Sequence, residues 1–197
     1  IEAFLGVAYT GGFYVPIDIQ MPYERVKLII DTLGAKCLIT RRCDELPEEV
    51  KRECTVFYIE DFLAVETLRT EEIQARQRRS IDTDPVYAIF TSGSTGVPKG
   101  IAVGNRSVLD FLDCFVPLFG IDSTDVIANQ APFDFDVSVK DIYSALKAGA
   151  CLAVVPRRLF SLPTQLIDFL CDTGATTMIW AVSALCLITG FHALDYR

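Results

Sequence analysis

Residues 86–100 read VYAIFTSGSTGVPKG, an apolar run that leads straight into hydroxyls and glycines and ends near a lysine. Gly93, Gly96 and Gly100 open backbone conformations closed to other residues, so neighbouring N–H groups can turn together toward an anion. Thr91, Ser92, Ser94 and Thr95 add hydroxyls, and Lys99 adds a compact cation suited to phosphate. The chemistry expected of such a loop is to wrap a polyphosphate. It is not a Walker A loop, because the glycines after Gly93 fall three and seven residues on and Lys99 is followed by Gly100, not Ser or Thr. Gly/Ser clusters are usually surface turns. A strand before and Pro-Lys-Gly after favour the phosphate reading here.

A second constellation lies in residues 131–143, APFDFDVSVKDIY. Ser138 and Asp141 have the S-x-x-D spacing of a helix cap, and acidic residues favour a first helical turn whatever the function. Both are expected to cap. A third stretch, residues 8–18 (AYTGGFYVPID), reads as helix end, turn and strand.

Residues 87–100 resemble the phosphate-loop signature of the AMP-forming adenylating ligases, which include acyl-CoA synthetases, adenylation domains of non-ribosomal peptide synthetases and D-alanine–carrier-protein ligases. Residues 8–18 resemble that superfamily's "AGGAYVPID" motif and lean toward amino-acid activation. Residues 135–138 resemble its "FDxS" substrate motif. The resemblance implies ATP held by Thr91, Ser92, Gly93, Ser94, Thr95, Gly96 and Lys99. It gives Asp136 the role of pairing with a substrate α-ammonium, which suits a carboxylate that would be costly in an apolar pocket without a cation. It also implies that Val137, Lys140 and Ala181 line the side-chain pocket, although a lysine on an early helical turn is often simply solvated. Phosphates and amino acid would then occupy the two halves of a bipartite site. The parent enzyme is expected to use ATP and Mg²⁺ to make an aminoacyl-AMP, and to hand it to the phosphopantetheine thiol of a carrier protein. The superfamily commonly carries a histidine where Asn105 stands; Asn105 is expected to cap its helix through the side-chain oxygen.

The elements that must position these residues alternate. Strand patterns at 37–40, 56–59, 86–90, 101–103, 126–128, 151–155 and 176–180 are interleaved with helix patterns, including one opened by Pro22 and closed by Gly34. The helix from about Asn105 is expected to bury Val108, Leu109, Phe111, Leu112, Phe115 and Val116. The one after the Asp136 turn is expected to present Val139, Ile142, Tyr143 and Leu146 to the core. This rhythm predicts an α/β fold with mostly parallel sheets flanked by helices, and ligands at the carboxyl ends of the strands. Two sub-lobes are expected to divide near residues 80–85, and 41–53 and 66–84 are read as exposed connections or surface helices.

The chain has 197 residues, 51% of them hydrophobic and 22% charged, as expected of a packed globular protein. Its net charge of -8 argues against nucleic-acid binding, and the basic run at 76–79 is short and followed by Asp82 and Asp84. The seven cysteines form no CxxC pair and His192 is the only histidine, which suits neither a zinc site nor a disulfide framework. Several cysteines sit in apolar runs and are read as small hydrophobes in a reducing cytoplasm. Residues 174–191 are eighteen positions without charge. A core strand and helix is preferred there over a membrane span.

The superfamily's downstream magnesium-holding glutamate, ribose-binding aspartate and C-terminal catalytic lysine find no match, so the chain is expected to be part of the large N-terminal domain with little turnover by itself. An acyl- or aryl-CoA ligase, or a catalytically dead nucleotide-binding module, are the competing expectations.

Overall fold

Glycine and proline punctuate the first elements. In the computed structural model, which describes residues 1–67, 69–91 and 98–190, helix α1 (Glu2–Tyr9) ends at Thr10 and Gly11. Helix α2 (Tyr23–Leu33) starts after Pro22 and is closed by Gly34 in the left-handed region at φ 58°, where a residue with a Cβ would be strained. Then come β1 (Cys37–Thr40), α3 (Glu48–Glu53), β2 (Thr55–Tyr58), α4 (Ile59–Leu63), α5 (Thr70–Gln77), β3 (Pro85–Thr91), β4 (Lys99–Gly104) and α6 (Asn105–Phe119). The remaining elements are β5 (Val126–Asn129), α7 (Val137–Ala148), β6 (Cys151–Val154), a 3₁₀ turn (Arg157–Ser161), α8 (Pro163–Asp172) and α9 (Val182–Gly190). The chain divides into two compact units, Ile1–Ser107 and the part from Val108 onward.

In the first unit β1 and β2 pair in parallel, and Ile30, Val50 and Cys54 make a small core against which Leu38 packs. Residues 37–40 are a strand as expected, but not a buried one. Cys37 is exposed and Leu38, Ile39 and Thr40 are half-buried, since that small core covers one face of the pair. Strands β3 and β4 are antiparallel, and Tyr14 joins the other edge of β3. Tyr14 N–H donates to the Val86 carbonyl at 3.2 Å and its own carbonyl accepts from Ala88 N–H at 2.9 Å. The strand expected after Gly12 ends with that one bridge. A parallel ladder would next need an N–H at position 16, and Pro16 has none.

In the second unit β5 and β6 are parallel neighbours joined through α7, and Thr177 forms a parallel bridge to Ile127 on the other edge of β5. Thr176 and Thr177 hydroxyls donate to Asp125 Oδ1 at 2.6 and 2.8 Å, which fixes this edge and holds the Asp125 carboxyl below its ordinary pKa. The strand expected at 176–180 shrinks to the bridge. The next acceptor on β5, the Ala128 carbonyl, takes the Trp180 indole Nε1–H at 2.7 Å in place of a backbone N–H. Trp180 then anchors a core of Ala128, Val155, Leu159, Leu166, Ile167, Leu170, Ala184 and Ile188. Trp180→Phe keeps most of the ring but strands that buried carbonyl, so urea unfolding should show a loss of about 1–3 kcal/mol.

Two helices differ from the expected burial. Along α6 the buried positions are Val108, Leu112 and Val116, one stripe of spacing four, whereas Leu109 and Phe111 are exposed. Phe111, Phe115 and Phe119 pack in a row along the same helix with tilted rings, their centroids 4.8 and 4.5 Å apart. In α7, Val139 and Ile142 are buried as expected, but Leu146 is exposed; Ser138, Asp141, Ser144 and Ala145 face inward instead. Among the described residues no helix is long and apolar enough to cross a membrane, and residues 182–190 form the nine-residue α9, which buries Ala184 and Ile188. Two of the three strand pairs among the described residues are parallel and helices flank them, the α/β architecture anticipated.

Candidate active site

Thr91 closes β3 and Lys99 opens β4, and the two are direct cross-strand partners. The phosphate-loop residues between them, Ser92, Gly93, Ser94, Thr95 and Gly96, lie outside the described residues. Val86, Tyr87, Ala88 and Ile89 are all buried, so the loop leaves from a fixed base, and Thr91 and Lys99 at its two ends are exposed.

Gly100 has a different role from the one its place in the motif suggests. It lies in β4 opposite Phe90, outside the positive-φ glycines, and a Cβ there would stand 2.8 Å from Phe90 Cζ. Its use is room for the Phe90 ring rather than backbone freedom. Gly100→Ala is therefore expected to destabilise by about 1–3 kcal/mol through overpacking. A double-mutant cycle with Phe90→Ala should show most of that cost relieved.

Arg25 was not anticipated. From α2 its Nη2 donates to the Phe90 carbonyl at 3.3 Å, next to the loop's base, while its Nε is buried without a partner. The signal was available: Arg25 lies four residues before buried Ile29, on a stripe where a charge is out of place.

In the second unit Asp136 is the N-cap residue of α7, exposed, with helical φ and ψ and no side-chain capping bond. Val137, the first residue of the helix, is exposed as well. The expected cap by Ser138 and Asp141 does not form. Ser138 is already inside the helix, and its hydroxyl donates back to the Phe135 carbonyl at 2.8 Å. Asp141 faces inward at 1% exposure, where its Oδ1 accepts from Lys140 Nζ at 2.6 Å and its Oδ2 from Asn129 Nδ2 at 2.9 Å. Burial pushes the Asp141 carboxyl above its ordinary pKa, against the opposing pull of Lys140 and Asn129. Lys140 is not solvated either, with 13% of its side chain exposed.

Ala181 is exposed just before α9, where its carbonyl accepts from Ala184 and Leu185 N–H and its own N–H reaches Gln130 Oε1 at 3.4 Å. Asp136, Val137 and Lys140 thus share the start of α7, which follows the carboxyl end of β5. Gln130, just beyond that same strand end, ties Ala181 to it.

Asn105 opens α6, but its amide nitrogen is what binds, donating to the Asp84 carbonyl at 3.1 Å. The Asn105 backbone N–H uses the same carbonyl at 3.0 Å, because β4 runs directly into the helix against the 82–84 turn.

All seven cysteines are free thiols, and of these Cys54 alone is buried, with its thiol pKa pushed up by that burial. The other six are exposed, so their apolar neighbours in sequence do not carry them into the core. Among the described residues no group of three or more His, Cys, Asp or Glu side chains could hold a metal.

Comparison with known proteins shows the family. Residues 1–193 match the family model described as AMP-binding enzyme. The chain is 34% identical over its whole length to one of the polypeptides of the linear gramicidin synthase of Brevibacillus parabrevis, of which it covers 2%. It is 35% identical over 91% of its length to the D-alanine–D-alanyl carrier protein ligase of Staphylococcus aureus, of which it covers 35%. The crystal structure of the nonribosomal peptide synthetase FmoA3 superposes on 99% of the chain with a TM-score of 0.80 and 26% identity, using 20% of that protein. The chain belongs to the AMP-binding enzyme family. It spans about a third, or far less, of the length of these curated relatives.

Proposed function

We propose that the protein carrying this chain activates an amino acid as its adenylate, and that residues 1–197 are part of its large adenylate-forming domain. The observation that supports an amino acid over another carboxylic acid is Asp136. Its carboxylate stands exposed at the N-terminus of α7 and is not consumed in capping that helix. An exposed carboxylate at that place is a natural partner for an α-ammonium.

In this reading Thr91, Ser92, Gly93, Ser94, Thr95 and Gly96 donate to the ATP phosphates, and Lys99 neutralises part of their charge. Asp136 holds the ammonium, and Val137, Lys140 and Ala181 border the side chain. A substrate carboxylate oxygen bonds to the α-phosphorus while the bond to pyrophosphate breaks. The carrier protein's phosphopantetheine thiolate then bonds to the acyl carbon and AMP leaves. Six exposed, unpaired cysteines fit a reducing cytoplasm as the place of action.

ATP–pyrophosphate exchange by the full-length protein against an amino-acid panel, with hydroxylamine trapping of the adenylate, tests this proposal. Amino-acid-dependent exchange is expected. Exchange driven equally well by acids without an amino group would sink it.

A further inference from the structure

We propose that Asp141 is a built-in counter-ion to Lys140 that makes the side-chain pocket select an uncharged amino acid. The inference rests on the adenylation reading above and concerns the pocket at the start of α7.

Lys140 and Asp141 are consecutive on a helix, where neighbouring side chains diverge and do not naturally meet. A lysine free to enter solvent has no reason to fold back. Here it does, to 2.6 Å, and the pair is enclosed, with exposures of 13% and 1%. Asn129 on β5, itself 3% exposed, occupies the second carboxylate oxygen from behind and leaves Lys140 as partner for the first. The exposures also order the pair, with Lys140 on the outer side and Asp141 on the inner.

The electrostatic consequence follows. Asp136 contributes one negative charge for the α-ammonium, and Lys140 with Asp141 contributes none. A substrate carrying a side-chain carboxylate would have to draw Lys140 off a buried partner and leave Asp141 ionised without it. A basic side chain would meet the ammonium before the carboxylate. An uncharged side chain disturbs neither. Asp141 is thus a positioning residue, acting on substrate through Lys140.

Exchange rates with alanine, serine, leucine, aspartate, glutamate and lysine, measured for the full-length wild type and variants, test the proposal. Wild type should favour an uncharged member. Asp141→Asn releases the ammonium, so the acidic-to-uncharged ratio should rise about tenfold or more. Asp141→Glu should return it toward wild type, and Asp141→Asn combined with Lys140→Met should abolish the rise. If Asp141→Asn does not fold, Lys140→Gln serves: the basic-to-uncharged ratio should then rise about tenfold, because the outer charge is gone. An unchanged ratio in a folded Asp141→Asn or Lys140→Gln protein, or a wild type that prefers an acidic amino acid, overturns the counter-ion role alone. A wild type that activates no amino acid overturns the adenylation reading and this inference with it.

Discussion

Asp136→Ala in the full-length protein is expected to lower amino-acid-dependent pyrophosphate exchange by about ten- to a hundredfold, the worth of a charge-assisted hydrogen bond. The loss should appear with the amino acid and not with ATP, since Asp136 lies at the start of α7 and the residues proposed to hold phosphate lie at and between the ends of β3 and β4. Folding should be unaffected. Asp136 is exposed and makes no capping bond, so its removal strands no buried partner. Thermal unfolding of the variant checks that half of the expectation, and saturation curves for ATP and amino acid check the other. Asp136→Asn should fall between the two proteins, because it retains an acceptor but loses the charge.

Lys140→Met carries the largest expected effect on stability. It leaves the Asp141 carboxylate at 1% exposure with Asn129 as its remaining partner, a change that costs about 3 kcal/mol near neutral pH. The pH dependence has a definite sign. The Asp141 pKa is raised by burial, so the folded state binds the proton more tightly than the unfolded one. Its contribution to stability is fully present below the ordinary value of 3.8 and is lost as pH rises through the folded value. The stability difference between wild type and Asp141→Asn should therefore fall with rising pH. For Lys140→Met the deficit should nearly vanish in acid, where Asp141 is protonated, and grow as it ionises. Urea unfolding of this chain across the acid-to-neutral range reads both slopes. A Lys140→Met deficit independent of pH would mean that the stem of Lys140 matters and its charge does not.

The parts legible in sequence were those coded by local residue type. The Gly- and hydroxyl-rich string after an apolar run marked the β3–β4 hairpin, and the period of helix and strand marked the parallel pairs. Strand ends were not legible, because they depend on partners. Pro16 ends the Tyr14 bridge through an N–H it lacks, and the Trp180 indole takes the Ala128 carbonyl that a longer strand would use. The inner face of α7 was hidden for a related reason. Hydrophobic periodicity looks for Leu146 inside, whereas the helix buries Ser138, Asp141 and Ser144. Asp141 can lie there because Asn129, twelve residues earlier, and Lys140 satisfy it. A cap was the natural reading of S-x-x-D spacing, and it failed because the helix starts one residue before Ser138.

Recognition of an α-ammonium at Asp136 is what separates activation of an amino acid from activation of other carboxylic acids. The most direct measurement is pyrophosphate exchange by the wild-type full-length protein with the preferred amino acid and with its des-amino analogue, the same carboxylic acid without nitrogen. An advantage of about tenfold or more for the amino acid is expected, collapsing to near equality in Asp136→Ala. Equal rates for the two acids in wild type would contradict it.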